Sequence, residues 1–353
     1  MSLIVNLTKS DVAHSVGMGL DGRWQVTAVV KTSYVWDQAG RATLVEPTPI
    51  VALDELASEL PSAGLLRASE LGPPKPKVDV LLAGAIVFPR PITQMDVEIA
   101  VGQRLRKKAR IFGDRVWLPG AVADLVPSQA RPTSRVPIAW ERSYGGEDPS
   151  DPKYIEPRNP AGSGVARDPK SLHGRPAPNF EDADKATGSL ISSPEPVGFG
   201  PIAAHWQPRI KLAGTYDEAW ETSRRPLPPE DFSPAYFNVA PVDQQLDGYQ
   251  PGEIVGLLNM TTETREQFIL PALAVPVTFV SSDDANEGTA TIDTIIIEPE
   301  ARRFSLVAKA QATLAEGPQS LDRIVVGELT RGMRQALETG KYYPWSRHGR
   351  KPG

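Results

Sequence analysis

Two carboxylates, Asp217 and Asp231, lie among tryptophans and tyrosines in the middle of the chain. Paired carboxylates beside aromatic platforms are the arrangement with which glycosidases protonate a leaving group and assist the attack on the sugar. A carbohydrate-active hydrolase is therefore one hypothesis. In the alternative interpretation, which we favour, each carboxylate accepts hydrogen bonds from nearby backbone amides of irregular loops.

A glycine pattern near the amino terminus suggests a second chemistry. The segment Gly17-Met-Gly-Leu-Asp-Gly22 has the spacing of a dinucleotide-binding loop. Such a loop binds phosphate only where a strand precedes it and a helix follows, because the helix amides meet the phosphates. Here a strand pattern follows, so we interpret the glycines as a hairpin turn.

Metal and nucleophile signals are weak along the whole sequence. There is no cysteine, and none of the histidines at 14, 173, 205 and 348 lies three to five residues from another. Asp283, Asp284 and Glu287 do not match a calcium loop, and we expect a solvated turn there. We therefore predict no catalytic residue, no metal and no cofactor, and expect a protein that is not an enzyme.

Charge and hydropathy limit the class of partner. The 353 residues carry 38 Lys and Arg against 43 Asp and Glu, with a net charge of −5 and the two signs interspersed. A nucleic-acid surface would show a basic stripe, which is absent from the sequence. The first residues lack the pattern of a secretory signal, and the longest apolar run, 269–280, is too short to span a bilayer. We expect a cytoplasmic protein that binds neither nucleic acid nor membrane.

The first region, residues 1–126, reads as strands. Apolar residues alternate with polar ones from Trp24 to Trp36, which predicts a half-buried strand, and 43–46 is its expected hairpin partner. Residues 78–88, 96–101, 105–111 and 116–118 predict further strands. A short helix is expected within 51–70.

The second region, residues 127–252, holds 20 of the 35 prolines and 12 of the 24 aromatic residues. Proline at that density interrupts helices and central strands. Disordered segments are poor in aromatics, so we expect ordered, irregular backbone whose aromatic side chains dock onto a scaffold.

The third region, residues 253–353, returns to strand patterns at 253–260, 276–281, 290–297 and 304–314. Leucines, valine and methionine at 321, 325, 329, 333 and 337 predict one helix, with Ser320 at its start and Gly340 at its end. The predicted class is α+β and β-rich: mostly antiparallel sheets in a sandwich or barrel-like packing, long ordered loops and a C-terminal helix. The three regions can form one compact unit.

A series of ordered motifs adds a resemblance to this picture. The chain resembles a bacterial family long labelled as a domain of unknown function over roughly residues 20–310. The motifs that carry the resemblance are the runs 74–84, 113–117, 137–146, 159–164, 178–179, 196–201, 206–209, 214–220, 229–232 and 236–241, with Gln244 and Gln245.

Genes of that family commonly lie beside genes for VgrG spike proteins, PAAR-type tips and toxins of type VI secretion. The resemblance therefore implies a chaperone-adaptor that binds a toxin effector and helps to load it onto the VgrG or PAAR spike protein. A structural component of the spike itself stays open as an alternative.

Aromatic and arginine side chains dominate binding energy at protein interfaces, so we expect the central ones to face a partner or to support the loops that do. The candidate residues are Trp140, Arg142, Tyr144, Phe199, Trp206, Arg209, Tyr216, Asp217, Trp220, Asp231, Phe232, Tyr236 and Phe237.

Overall fold

The computed structural model describes residues 3–120, 125–184, 194–281, 285–339 and 343. Strands dominate it. The strands are β1 Ile4–Asn6, β2 Asp11–Met18, β3 Trp24–Trp36, β4 Ala42–Val45, β5 Glu55–Leu56, β6 Leu65–Arg67, β7 Val78–Leu82, β8 Ala85–Ile92, β9 Gln94–Val101, β10 Leu105–Phe112, β11 Arg115–Pro119, β12 Leu125–Pro127, β13 Thr133–Pro137, β14 Tyr144–Gly145, β15 Glu147–Asp148, β16 Asp151–Ile155, β17 Ser163–Gly164, β18 Pro176–Ala177, β19 Phe180–Glu181, β20 Gln245–Leu246, β21 Ile254–Leu258, β22 Arg265–Ile269, β23 Val275–Ser281, β24 Ala285–Glu298, β25 Arg303–Leu314 and β26 Leu321–Val326.

Helical structure is short. The α-helices are α1 Glu218–Ser223 and α2 Arg331–Thr339. Single 3-10 turns occupy Trp140–Arg142, Pro169–Leu172, Arg209–Leu212, Pro234–Phe237, Val242–Gln244, Pro299–Ala301 and Pro318–Ser320. Within the described residues, no helix is long and apolar enough to cross a membrane.

The main sheet has ten strands and draws on both ends of the chain. Its path runs β1-β26-β23-β24-β25-β3-β2, and β4, β7 and β20 pair at its sides. Most pairs are antiparallel; β1 with β26 and β7 with β24 are parallel. The long strands β3 and β25 pair from Trp24 opposite Leu314 to Val35 opposite Arg303. Strands β1 and β2 therefore stand at opposite ends of the path although only residues 7–10 separate them.

A second sheet of five strands, in the order β19-β10-β9-β21-β22, packs on the first. Side chains of both sheets share one apolar core. At its centre the rings of Trp36 and Phe268 stack with centroids 4.7 Å apart, and Phe268 stacks on Phe304 at 4.4 Å. The strand-rich class, the mostly antiparallel sheets and the short C-terminal helix predicted from the sequence are confirmed.

Strand β3 differs from its prediction in one respect, because it is buried on both faces rather than on one. Its apolar alternate residues enter the core, while Thr27, Lys31 and Ser33 on the opposite face are buried as well. Lys31 Nζ lies 2.5 Å from Glu70 Oε1, and Ser33 Oγ lies 2.7 Å from Ser305 Oγ. Apolar and polar residues do alternate along β3, but the polar side chains form hydrogen bonds inside the protein and do not face water.

Two helix predictions are wrong. Residues 51–70 form the hairpin of β5 and β6 and no helix. The helix expected from Leu321 begins only at Arg331, because 321–326 form β26, which is paired with β1 on one side and β23 on the other. Ser320 therefore does not cap the helix, and Gly340 lies outside the described residues. The β-branched run Ile324-Val-Val is a strand signal that the spacing of four concealed.

Candidate functional site

Trp140 and Trp206 lie inside the molecule and hold the central loops together. Trp206 is fully buried, Trp140 is 5% exposed, and their rings meet edge to face with centroids 6.1 Å apart. Trp140 Nε1 donates to the Pro201 carbonyl at 2.8 Å. Leu65, Ile202 and Ala203 complete this small core beneath the loops. These tryptophans support the loops from within.

The motif around Tyr144 is a backbone arrangement tied by Asn159. Asn159 Nδ2 donates to the carbonyls of Trp140 and Tyr144, both at 2.9 Å. Gly146 has a φ of +87°, and a Cβ there would lie 2.2 Å from the Gly162 carbonyl oxygen. Only glycine allows the two segments this approach. Tyr144, 8% exposed, is thus part of the internal packing.

Arg142 and Arg209 also serve the fold. Arg142 Nη1 donates to Asp114 Oδ1 and Asn179 Oδ1, each at 3.0 Å. The hydrogen bond from Asn179, followed by that from Arg142, lowers the pKa of Asp114. Arg209 is buried; its Nη1 donates to the Ile202 carbonyl at 2.6 Å and its Nε to the Tyr236 carbonyl at 3.1 Å.

Phe199 is another internal residue. It is fully buried and meets Phe180 edge to face, with centroids 6.3 Å apart. The Lys107 ammonium lies 5.4 Å from the centre of the Phe199 ring and 2.9 Å from Asp243 Oδ1. Burial lowers the pKa of Lys107, although Asp243 opposes that effect.

The remaining candidates reach the surface in one stretch, residues 214–237, which we call the aromatic segment. Tyr216 is 57% exposed and meets Trp220 edge to face at 4.6 Å. Trp220 is half-buried, and its Nε1 donates to the Leu227 carbonyl at 2.7 Å. Further along, the rings of Phe232, Tyr236 and Phe237 form a half-buried cluster with centroids 5.6–6.0 Å apart.

Both candidate carboxylates bind their own backbone. Asp217 caps α1, its Oδ1 accepting from the Trp220 amide at 2.9 Å. Asp231 accepts from the Thr215 amide at 2.9 Å and from the Thr215 hydroxyl at 2.7 Å. The Thr215 amide, followed by its hydroxyl, lowers the pKa of Asp231, whereas a general acid needs a raised one. These contacts favour the structural interpretation over the hydrolase.

A buried charge network, which sequence reasoning missed, clamps the central loops to the main sheet. Asp79, fully buried, accepts from Lys75 Nζ at 2.8 Å, Asn238 Nδ2 at 2.9 Å and the Val239 amide at 2.8 Å. Lys309 Nζ lies 3.3 Å from Asp293 Oδ2. Burial lowers the pKa of Lys309. The motif 74–84 contains Lys75 and Asp79 of this network. Lysines are rarely this buried, so the residue types alone did not predict a buried ion pair there.

An open groove of about 650 Å³ runs beside the end of β2. Its lining comes from residues 15–21 and 72–74, from Gln25, Thr27 and Gln311 of the main sheet, and from Pro234 and Phe237. We call it the edge groove. The glycine pattern 17–22 lies here as the predicted hairpin turn, with the Gly19 amide donating to the Arg23 carbonyl at 2.8 Å. The aromatic segment thus continues into this groove through Phe237.

A second apolar surface surrounds the hairpin of β5 and β6. Leu53 is 80% exposed and Leu60 64%, while Leu56 and Leu66 are 49% and 42% exposed. The neighbouring Leu65 points inward, into the core formed by Trp140 and Trp206. The hairpin therefore exposes four leucines to solvent while Leu65 anchors it to the core beneath.

Metal ligands do not converge in the described part of the chain, where no three His, Asp or Glu side chains are placed to hold an ion. His14 lies on β2, His173 follows a 3-10 turn, and His205 meets Trp206 edge to face. His348 lies outside the described residues, as do Asp283 and Asp284 of the expected turn. Glu287 belongs to β24.

Comparison with known proteins gives one match. Residues 21–309 match the model of a family described as "Uncharacterized protein conserved in bacteria (DUF2169)". No curated protein matches the chain, and no solved structure does.

Proposed function

The chain belongs to the bacterial family of uncharacterized proteins DUF2169, and we propose that it is an adaptor that binds a toxin effector in the cytoplasm and helps to load it onto the VgrG or PAAR spike of a type VI secretion system. The proposal assigns the protein no catalysis and no cofactor. Its partner is another polypeptide.

One observation carries the proposal: the aromatic segment presents an exposed ring, Tyr216, beside half-buried aromatic rings. Tyr216 stands 57% exposed against Trp220, whose indole is tied to the Leu227 carbonyl. Aromatic rings held in this way bury a large area while losing little conformational entropy, which is why such residues dominate interfaces. The exposed leucines of the β5–β6 hairpin add apolar area that also suits a protein partner.

The buried candidates support the same idea. Trp140, Trp206 and Asn159 lock the irregular backbone through contacts inside the molecule. Asp79 joins Asn238, directly after the aromatic cluster, to the main sheet. Loops that are already held in place by these contacts need not become ordered on binding. Association then avoids the loss of conformational entropy that ordering them would cost.

The test is co-expression with the toxin that the proposal expects to be encoded beside the gene. We expect the toxin to be soluble and to co-purify with the adaptor. Tyr216→Ala combined with Trp220→Ala should weaken the complex at least about 30-fold, the loss expected when interface hot spots worth about 2 kcal/mol are removed.

Tyr154→Ala is the matched control, because Tyr154 is a 40% exposed aromatic on β16, outside the aromatic segment. Equal weakening by both changes, or a toxin that stays soluble and is secreted without this protein, contradicts the adaptor. A stoichiometric complex with VgrG in the absence of any toxin would instead make the protein a spike component.

A further inference from the structure

Strand β2 ends the main sheet with one edge unpaired. It pairs with β3 from Asp11 opposite Lys31 to Met18 opposite Trp24. The Gly19 amide donates to Arg23 across the same hairpin, so the odd-numbered residues of β2 direct their backbone groups to β3. The amides and carbonyls of Val12, His14, Val16 and Met18 therefore point outward. No backbone partner on that side is found for them in the described residues.

This edge lacks three of the features with which proteins usually protect an exposed strand: lysine, proline and a β-bulge. Its residues include no lysine and no proline, and its register with β3 has no bulge. Val16 and Met18 are 39% and 42% exposed. Strand β1 spans three residues against the eight of β2, so it is too short to cover this edge.

The edge groove beside β2 carries no free charge. Asp21 is the charged residue of its lining, and both its oxygens are occupied: Oδ1 accepts from the Arg23 amide at 3.1 Å and Oδ2 from Arg23 Nε at 2.6 Å. A charged side chain placed in the groove would lose water without gaining a counter-ion. The complementary occupant is uncharged.

Room for such an occupant exists at the strand itself. A Cβ added at Gly17 would have no atom within 4 Å, so the groove reaches the backbone of β2 there. An extended chain laid along β2 would pair with the outward amides and carbonyls and direct alternate side chains into the groove. A second copy of this protein fits less well, because a two-fold contact between β2 edges would bring two concave grooves together and leave both unfilled.

We propose that β2 takes up an extended, uncharged segment of the partner polypeptide as an additional strand of the main sheet, with alternate apolar side chains in the edge groove. The inference rests on the proposed adaptor function and specifies how the toxin is held. Phe237 joins this strand site to the aromatic segment, so one partner chain can engage both.

Val16→Pro tests the hydrogen bonds. Proline removes an outward amide while the ladder with β3 keeps its donors, and edge strands tolerate proline. With the toxin encoded beside the gene as the probe, we expect at least a 10-fold loss of affinity and an unchanged melting temperature. Gly17→Val is the second variant: it keeps every backbone donor, fills the groove at its open point, and should weaken binding to a similar extent.

Amide hydrogen exchange can distinguish the even-numbered residues of β2, whose amides point outward, from the odd-numbered residues, whose amides pair with β3. On binding the toxin, the amides of His14, Val16 and Met18 should become protected, whereas those of Ala13, Ser15 and Gly17 are protected in both states because they already pair with β3.

If the toxin binds, neither variant weakens the binding and the outward amides stay unprotected, then the strand inference is wrong while the proposed adaptor function is unaffected. If the wild-type protein does not bind the toxin at all, the proposed function itself fails. Protection of the same amides by dimerisation of the protein alone would assign the edge to a second copy and overturn the inference.

Discussion

At the scale of single residues, the charged groups inside this protein are joined into pairs that connect distant segments. Asp79 accepts three hydrogen bonds and joins Lys75 to the Asn238–Val239 turn. Lys31 and Glu70 form a second pair, with side chains 4% and 6% exposed. Burial raises the pKa of Glu70 despite the neighbouring Lys31. Breaking such a pair from one side leaves the other charge buried without a partner.

Asp79→Asn should therefore lower the free energy of unfolding by about 3–5 kcal/mol, because Lys75 would lose its counter-ion in a dry site. Urea denaturation followed by circular dichroism measures the loss. Asp21→Asn is the control: its ion pair with Arg23 is exposed and screened by water, so this change should leave the free energy of unfolding almost unchanged. Similar small losses in both variants would show that the buried network contributes little to stability.

Asp148 makes the free energy of unfolding depend on pH in the acid range. It is fully buried, and the Arg167 amide, followed by the hydroxyl and amide of Ser150, lowers its pKa from 3.8 to about 2. Because the folded pKa lies below the unfolded one, the ionised carboxylate contributes stability above about pH 4, and that contribution disappears as the pH falls through about 2. In Asp148→Asn, the deficit in unfolding free energy relative to wild type should shrink between pH 5 and pH 2. Parallel denaturation profiles across that range would contradict the assignment.

At the scale of elements, the sequence predicted strands better than it predicted where the helix begins. Alternation of apolar and polar residues identified β3, and strand patterns at 96–101, 105–111 and 304–314 correctly predicted β9, β10 and β25. The spacing of four from Leu321 to Leu337 predicted a helix throughout, yet β26 occupies its first part. Pairing with β1 and β23 on both sides outweighs helical periodicity there, and the sequence does not specify such distant partners.

Helix α2 is attached to the sheet through Met333, which is fully buried against Val5 and Val325. Met333→Ala should cost about 2–5 kcal/mol of unfolding free energy, since a cavity would form under a helix that has few other buried residues. Gln335→Ala, on the exposed side of the same helix, should change stability by less than about 0.5 kcal/mol. Equal effects, measured by chemical denaturation, would mean that α2 does not depend on this contact.

The candidate site illustrates what composition can and cannot predict. The glycines at 17–22 correctly indicated a turn, and the described part of the proline-rich region 127–252 has the irregular backbone with internal aromatic contacts that its composition predicts. Which aromatics would be internal was not predictable, because Trp206 and Tyr216 occur in similar local contexts and differ only in what folds over them. The edge groove was not predictable because its lining combines β2 with Phe237, more than two hundred residues apart in the sequence.

At the scale of the whole molecule, the division into regions 1–126, 127–252 and 253–353 follows composition, whereas the main sheet joins the first and the third. Strand β3 pairs with β25, and β1 with β26. We therefore expect one cooperative unfolding transition, with equal calorimetric and van't Hoff enthalpies, because both large sheets combine strands from the first and the third region. Two resolved transitions, or a fragment 1–126 with a folded spectrum, would show independent domains.

The connection between β1 and β2 has a mechanical consequence for the largest sheet. Residues 7–10 link strands that stand at its two extremes. A chain extends by at most about 3.6 Å per residue, so the five steps from residue 6 to residue 11 cover no more than about 18 Å. The seven strands of this path, spaced about 4.8 Å apart, would span more than that distance if they lay flat, so the short tether forces the sheet to curl. Lengthening that tether with glycine and serine would remove this covalent constraint and leave the curl to the strand pairing and to the core that the two large sheets share.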